Sequence, residues 1–243
     1  MNLLILGANS DVAYAVAQQF AANLKADLLL ASRDLELLEK KARDLEIRHA
    51  VKARAVAFDA ADPSTHKAFY ERLEPSPDGV IAAFGYLGDQ TKAQNDFDEA
   101  LKIIQTNFVG AASILEIVAA DFQRRGRGFI IGIGSVAGER GRQSNYFYGA
   151  AKGALGIYLS GLRNRLNKHG VRVITVLPGF MRTKMTQSMA LPGLLTATPE
   201  QAAADILAAY QKSRDVVYIR WFWRWIMAVI KAIPESLFKR LSL

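Results

Sequence analysis

The sequence predicts an α/β fold, a doubly wound parallel sheet of seven strands with helices on both faces. Three observations support this prediction. Seven short apolar runs alternate along the chain with segments whose apolar residues recur at helical spacing. The first apolar run ends in a glycine turn that leads directly into a helical segment. The 243 residues show no internal repeat or low-complexity stretch, which suits a single domain with one large core.

The first strand and helix open the chain. Residues 2–6 are apolar and predict a buried parallel strand. Residues 7–11 form a turn, and Val12, Val16 and Phe20 then mark one face of a helix. In a Rossmann-type sheet this geometry directs backbone N–H groups and a helix N-terminus at a phosphate, although a strand–helix unit without a ligand has the same pattern.

The remaining strands and helices follow in alternation. Further strands are predicted at 27–31, 51–57, 79–83, 128–133, 171–177 and 215–219. Helices are predicted at 10–24, 34–47, 63–73, 96–124 (unbroken or interrupted), 146–168 and 199–212. The last helix begins with a threonine cap, a proline at the first helical position and Gln201, which completes a capping box with Thr198. A ligand is expected at the carboxyl ends of the strands.

Tyr148 and Lys152 lie one turn apart on a predicted helix. An ammonium beside a phenol favours the phenolate and lowers the tyrosine pKa from about 10. Such a tyrosine can donate or accept a proton during catalysis. Ser135, at the end of a predicted strand, can polarise the same substrate oxygen. Two half-exposed helix residues would show the same spacing, so the surrounding motifs decide the interpretation.

Those motifs resemble the short-chain dehydrogenase/reductase family over residues 1–218. The matching residues are Gly7 in the nucleotide loop, Asn107 in Thr-Asn-Phe-Val-Gly, Ser135, Tyr148, Lys152, and Pro178-Gly179 with Thr183. The resemblance implies an enzyme that transfers a hydride between a nicotinamide cofactor and a carbonyl or alcohol. It implies a catalytic set of Asn107, Ser135, Tyr148 and Lys152, without a metal.

The resemblance also implies a role for each catalytic residue. Tyr148 protonates the developing alkoxide, and Ser135 orients the carbonyl oxygen. Lys152 lowers the pKa of Tyr148 and holds the nicotinamide ribose. Asn107 is expected to position a water that connects Lys152 to solvent.

The end of the second strand indicates which cofactor binds. An acidic residue there would accept hydrogen bonds from a free ribose 2′-hydroxyl and favour NAD. This chain has Ser32 and Arg33 instead, and an arginine can pair with a 2′-phosphate. We therefore expect NADP(H), although a solvent-facing arginine would suit the same position. The expected cofactor-binding residues are Gly7, Asn9, Ser10, Asp11, Val12, Ser32, Arg33, Asp59, Ala60, Gly85, Tyr148, Lys152, Pro178, Gly179 and Thr183.

Two segments depart from the family pattern. Asp11 and Ala13 stand where the nucleotide loop usually has glycine. We expect Asp11 to cap the first helix rather than to face a phosphate. The family's Asn-Asn-Ala-Gly after the fourth strand is Ala-Ala-Phe-Gly here, at residues 82–85. Gly85 still permits close approach of the backbone to a cofactor, whereas Phe84 requires an apolar contact.

Residues 219–243 form a basic C-terminal extension that holds all three tryptophans. From residue 220 onward it carries five basic residues and one glutamate, a net charge of +4 out of the chain's +8. Its apolar run is too short to span a membrane, which requires about 20 residues. Tryptophans among basic residues favour binding to an anionic membrane surface. Packing over the active-site mouth, dimerisation and solubility are the alternatives, but three tryptophans in five residues cannot all face inward on one helix.

Residues 83–89, 137–140 and 233–241 resemble one subgroup of the family, the decaprenylphosphoryl-2-keto-erythro-pentose reductases. Members of that subgroup reduce the C2 ketone of a pentose on a polyprenyl phosphate after a flavin-dependent oxidase has acted. The resemblance implies a lipid-linked ketone substrate, an oxidase partner and a place in cell wall biosynthesis. Arg140, Arg142 and Lys184 are candidates for contact with the lipid phosphate, and residues 184–195 are expected to close over the substrate.

The remaining features limit the alternatives. The chain has no cysteine and three scattered histidines, so we expect neither disulfides nor a metal site. No presequence is visible, which predicts a cytoplasmic protein. The basic charge is not organised around an element that reads nucleic acid, and the resemblance implies a homo-oligomer. Two other functions remain open: reduction of another lipophilic ketone, such as a keto-lipid or steroid-like molecule, and a non-catalytic NADP-binding scaffold at a membrane surface.

Overall fold

A parallel sheet of seven strands forms the centre of the molecule. The computed structural model describes residues 1–187 and 191–241, so residues 188–190 of the predicted substrate loop and the last two residues of the extension lie outside it. In chain order the strands are β1 (Asn2–Leu6), β2 (Asp27–Ser32), β3 (Ala53–Ala57), β4 (Gly79–Ala82), β5 (Gly128–Ile133), β6 (Val171–Pro178), β7 (Phe180–Met181), β8 (Thr196–Ala197) and β9 (Val216–Ile219). The large sheet has the order β3-β2-β1-β4-β5-β6-β9, and every pairing in it is parallel. The predicted doubly wound fold is confirmed.

Helices cover both faces of the sheet. They are α1 (Asp11–Leu24), α2 (Leu35–His49), α3 (Pro63–Glu71), α4 (Gln90–Asn95), α5 (Phe97–Ile104), α6 (Gly110–Arg125), α7 (Tyr146–Asn167), α8 (Pro199–Gln211), α9 (Trp223–Ala232) and α10 (Glu235–Phe238). The predicted capping box at the start of α8 is present: Thr198 Oγ1 accepts from the backbone N–H of Gln201 at 3.3 Å, and Gln201 Oε1 accepts from that of Thr198 at 3.1 Å.

The core has two layers because successive residues of a strand point to opposite faces of the sheet. On one face, Leu3 and Ile5 of β1 pack with apolar residues of α1, α2 and α8. On the other face, Leu4 and Leu6 pack with apolar residues of α3, α6 and α7. All four leucine and isoleucine side chains are fully buried, which explains why β1 is a continuous apolar run rather than an alternating one.

The segment predicted as a helix at 96–124 is interrupted. α5 and α6 are joined by a π-helical turn at Gln105–Val109, which contains Asn107. By length and composition alone, Phe97–Arg125 could cross a membrane. Its apolar side instead packs on the sheet through residues such as Ile114 and Phe122, as expected for a core helix.

Three small elements were not predicted. α4 precedes α5, and β7 pairs with β8 in a separate two-stranded parallel sheet. Each strand of that sheet has two residues, too few to show a periodic pattern. The small sheet lies directly after the end of β6 and helps to shape the cleft described next.

Candidate active site

Two adjoining cavities lie at the carboxyl ends of the strands, where the strand order reverses between β1 and β4. This is the place at which doubly wound sheets bind their ligands. The first cavity, of about 240 Å³, is lined by Gly7, Asn9, Ser10, Ser32, Arg33, Asp59, Ala60 and Gly85 among others. The second, of about 370 Å³, is lined by Asp11, Val12, Ser135, Tyr148, Lys152, Pro178, Gly179 and Thr183 among others. All the predicted cofactor-binding residues therefore border one continuous cleft.

The turn after β1 has the geometry of a phosphate loop. Gly7 has a φ of +81°, and a Cβ there would lie 2.6 Å from the backbone nitrogen of Phe84, so only glycine fits without strain. Ser10 caps α1, because its Oγ accepts from the backbone N–H of Ala13 at 3.1 Å. Asn9 donates through Nδ2 to the carbonyl of Asp34 at 2.8 Å, and its Oδ1 is buried without a partner in the described ranges.

Asp11 does not cap the helix, which corrects the expectation from its sequence position. It is the first residue of α1, and its Oδ2 accepts from the backbone N–H of Lys184 at 2.9 Å. The carboxylate thus connects the first helix to the segment after β7. Ser10 takes the cap because it is the residue with extended backbone angles immediately before the helix.

The adenosine end of the first cavity suits a phosphorylated ribose. No carboxylate lines it at the end of β2, because the residues there are Ser32 and Arg33, and Asp34 caps α2 through Leu37. Arg33 is exposed and forms no ion pair with any residue of the described ranges. Phe84 packs against Phe58, with ring centroids 5.8 Å apart, which provides the apolar contact that its unusual position requires.

Ser135 and Tyr148 meet over the second cavity. Ser135 follows β5, and its Oγ accepts from the backbone N–H of Ala137 at 3.1 Å. Burial raises the pKa of Tyr148 to about 12, and the nearby Ser135 side chain lowers this pKa by a smaller amount. The phenol is therefore protonated at neutral pH.

Lys152 is buried on the next turn of α7. Its Nζ donates to the carbonyl of Ile133 at 3.0 Å and lies 5.8 Å from the centre of the Tyr148 ring. Burial lowers the pKa of Lys152 to about 8. The expected lowering of the tyrosine pKa by this lysine is not observed: the causes of the Tyr148 shift are burial and Ser135. The Lys152 ammonium lies over the Tyr148 ring and donates its hydrogen bond to the Ile133 carbonyl instead.

Asn107 is buried behind Lys152. Its Nδ2 donates to the carbonyls of Tyr86 at 2.6 Å and Ile103 at 2.8 Å, and its Oδ1 accepts from the backbone N–H of Tyr86 at 3.2 Å. The side chain therefore holds the segment after β4 against the π turn. A Cβ at Gly85 would lie 3.0 Å from Asn107 Oδ1 and 3.5 Å from Lys152 Nζ. The absence of a side chain at Gly85 therefore allows both groups to approach this point of the backbone.

The comparisons with known proteins identify the family of this chain. The family model for short chain dehydrogenases matches residues 1–191. An uncharacterized oxidoreductase of Mycobacterium tuberculosis H37Rv is 35% identical over 242 residues, which cover 98% of this chain and 96% of that protein. This chain belongs to the short-chain dehydrogenase family.

Two further comparisons extend the family assignment. The NADP-dependent 3-hydroxy acid dehydrogenase of Schizosaccharomyces pombe is 27% identical, with 88% of each chain covered. Among solved structures, a short-chain dehydrogenase from Sphingobium yanoikuyae in complex with NADPH has a TM-score of 0.83 at 23% identity, with 97% of each chain covered. The fold is thus that of a short-chain dehydrogenase along the whole described chain, and the protein is an oxidoreductase of that family.

The C-terminal extension of this short-chain dehydrogenase packs against residues that line the cleft, such as Gly179. Trp223 is 3% exposed and packs with Met227, Val136 and Leu177. Trp221 and Trp225 are 73% and 63% exposed, so the tryptophans divide between the two faces as expected. Arg220 precedes α9 with a φ of +61°, so it lies outside the helix that carries Arg224 and Lys231.

Arg140 does not face the cleft, which corrects its assignment as a candidate for the substrate phosphate. Its guanidinium donates to the carbonyls of Lys231 and Ile233, forms a 2.6 Å ion pair with Glu235 and lies 4.1 Å from the Phe238 ring centre. Arg142 and Lys184 do line the second cavity. Sequence reasoning missed Asn145 at the cleft, because its position depends on how distant segments pack.

Proposed function

We propose that the protein is an NADPH-dependent ketone reductase. The observation that carries this proposal is that Ser135 and a protonated Tyr148 line the same cavity, which is large enough for a substrate. A protonated phenol is the form required to give a proton to a developing alkoxide. The buried Lys152 on the next helical turn completes the set that the family resemblance implies.

NADPH is the cofactor favoured by the residues present. Ser32 and Arg33 supply a hydroxyl and a free guanidinium where a ribose 2′-phosphate would lie. The buried, unpaired Oδ1 of Asn9 and the N-terminus of α1 suit the sugar and pyrophosphate of a dinucleotide. The name of the S. pombe relative and the NADPH in the S. yanoikuyae structure support the same choice.

Each further role in the reaction is assigned to a residue of this chain. When bound, NADPH supplies the hydride. Ser135 orients the ketone oxygen, and Tyr148 gives that oxygen its proton. Lys152 would hold the nicotinamide ribose and replaces the proton that Tyr148 has lost. Asn107 fixes the segment after β4, in which Gly85 lies beside Lys152. Gly179 and Thr183 border the nicotinamide end of the cleft.

For the substrate we propose a 2-keto-pentose carried on a polyprenyl phosphate. The resemblance of residues 83–89, 137–140 and 233–241 to the subgroup that acts on such lipids supports this assignment. The second cavity combines apolar side chains such as Leu87 and Met185 with the cations Arg142 and Lys184, which suits a lipid with an anionic head. A flavin-dependent oxidase would supply the ketone.

We propose that residues 219–243 bring this cleft to the cytoplasmic face of an anionic membrane. α9 packs on residues 1–218 with its buried face, while Trp221, Trp225 and Val229 are more than 60% exposed and Arg224 lies beside Trp225. Exposed indoles flanked by cations are typical of interfacial helices. We also expect a homo-oligomer, because Phe97, Leu101 and Ile157 expose large apolar side chains.

A coupled assay tests the proposed reaction. Purified protein is incubated with NADPH, a polyprenylphosphoryl ribose and its flavin oxidase, and the sugar product is analysed. Formation of the arabino-configured lipid with NADPH consumption supports the proposal, and the Tyr148→Phe variant serves as the inactive control. Absence of turnover with NADPH bound rules out this substrate and favours another lipophilic ketone, such as a keto-lipid or steroid-like molecule.

A further inference from the structure

Arg142 is a cation in the substrate cavity whose hydrogen-bonding capacity is largely unused. It lies in the loop between β5 and α7 and lines the same cavity as Ser135 and Tyr148. Its Nη2 contacts the Met227 sulfur at 3.4 Å, and its Nε is buried without a partner in the described ranges. A thioether is a weak acceptor, whereas a guanidinium has five N–H donors in a planar fork. A buried donor left without an acceptor costs stability, which calls for an explanation.

Arg140 is a useful comparison, because its contacts are purely structural. Two residues before Arg142, Arg140 is held by two carbonyls, by the carboxylate of Glu235 and by the Phe238 ring. Arg142 forms no ion pair with any carboxylate of the described residues; Glu139 acts on it only through its charge and instead binds Lys231 and Tyr218. Of the two guanidiniums, only that of Arg142 is left available to a ligand.

The charge of the cavity favours an anion. Lys184 lines it together with Arg142, and no ion pair joins that lysine to a carboxylate of the described chain. Asp11 is the one carboxylate among the described lining residues, and it accepts from the backbone N–H of Lys184. Asn145 also lines the cavity, and its Oδ1 is buried and unpaired in the described ranges, so it can accept from a substrate hydroxyl.

We propose that Arg142 is the residue that binds the oxyanion of the ketone substrate, with Asn145 accepting from a neighbouring hydroxyl. This inference rests on the proposed function, in which the oxyanion is the phosphate that joins the pentose to the prenyl chain. Arginine suits this role because its planar fork pairs with two phosphate oxygens at once. Met227 supports the guanidinium from behind and is fully buried in α9, so the C-terminal extension positions the anion site.

A binding experiment separates this site from the reaction. Geranylgeranyl phosphate, geranylgeraniol, a fatty carboxylate and inorganic phosphate are titrated into the NADP⁺-loaded protein in neutral detergent, with calorimetric detection. The variants are Arg142→Gln, Arg142→Lys and Arg127→Gln, the last of which removes the same charge from an exposed residue outside both cavities. Circular dichroism and NADP⁺ binding check that each variant is folded.

We expect the wild type to bind the prenyl phosphate at least tenfold more tightly than the alcohol. Arg142→Gln should abolish that preference, Arg142→Lys should retain part of it, and Arg127→Gln should leave it unchanged. Tight binding of the fatty carboxylate instead would identify the oxyanion as a carboxylate and overturn the phosphate assignment. Equal binding of phosphate and alcohol, or a preference that survives Arg142→Gln, would overturn the site. Phosphate preference through Arg142 without turnover in the coupled assay would leave the site standing and reject the keto-pentose.

Discussion

The indole of Trp223 lies directly against Gly179, where a Cβ would come within 2.0 Å of the ring. The indole nitrogen also donates to the carbonyl of Leu195 at 3.2 Å. Gly179 borders the catalytic cavity, so the C-terminal extension packs directly against a residue of the cleft wall. This contact makes the stability of the cleft depend on a residue that lies far away in the sequence.

Replacing Trp223 by alanine should destabilise the protein by about 3–5 kcal/mol, because a fully buried ring is lost and a cavity remains. For a chain of this size that corresponds to a fall in melting temperature of roughly 6–20 °C. Thermal unfolding by circular dichroism measures it. Trp225→Ala, which removes an exposed ring, should change stability by less than about 0.5 kcal/mol. Equal effects of the two substitutions would contradict the packing described for Trp223.

Tyr148→Phe should abolish ketone reduction while NADPH still binds. The substitution removes only the hydroxyl that Ser135 contacts and keeps the ring in place. General acid catalysis contributes about 10²–10⁴-fold, so the turnover number should fall by at least that range. Single-turnover absorbance at the NADPH band and fluorescence titration of NADPH measure the two quantities. Residual turnover within tenfold of the wild type would show that another group supplies the proton.

The rate of ketone reduction should decline as the pH rises above about 8. Tyr148 keeps its proton across this range because burial raises its pKa to about 12. Lys152 loses its proton first, because burial lowers its pKa to about 8, and a neutral lysine cannot resupply Tyr148. Measurement of kcat from pH 6 to 10 under saturating NADPH tests the decline. A flat profile to pH 10 would remove Lys152 from the proton path.

Lys152 should also affect how the stability of the folded protein depends on pH. Its folded pKa lies below its ordinary value of about 10.5, so between those two values the unfolded chain binds the proton and the folded chain does not. The contribution of Lys152 to stability therefore rises with pH across that window. Lys152→Met should be more stable than the wild type at pH 7, and the difference should shrink between pH 8 and 10.5. A constant difference in urea unfolding would contradict a buried, shifted lysine.

Cofactor preference should depend on the end of β2. Arg33→Ala is expected to raise the KM for NADPH about tenfold or more, through loss of a charge-assisted hydrogen bond to the 2′-phosphate. The KM for NADH should change little, since NADH lacks that phosphate. Ser32→Asp should in addition improve the use of NADH, because a carboxylate there can accept from the ribose hydroxyls. Equal effects of Arg33→Ala on both cofactors would show that Arg33 acts only on the fold.

The central sheet could be predicted from sequence because parallel strands leave long apolar runs and α1 follows a glycine turn. The grouping of Ser135, Tyr148 and Lys152 followed from their motif, but their pKa values did not, since these depend on burial. The role of Asp11 was wrong because its partner, Lys184, is distant in sequence. Arg140 and Arg142 look equivalent in the sequence, and only the packing of the C-terminal extension separates them.

The exposed face of α9 should bind anionic vesicles. Trp221→Ser combined with Trp225→Ser removes two indoles that are 73% and 63% exposed and should weaken binding to phosphatidylglycerol vesicles at least tenfold in a sedimentation assay. The fold should be retained, because Trp223 and Met227 still hold the helix in place. Ile47→Ser, which removes an equally exposed apolar residue on α2, is the matched control and should leave binding unchanged. Binding should weaken as salt is raised, since cations such as Arg224 contribute to it. If the double variant and the wild type sediment alike, the indoles of α9 serve another partner.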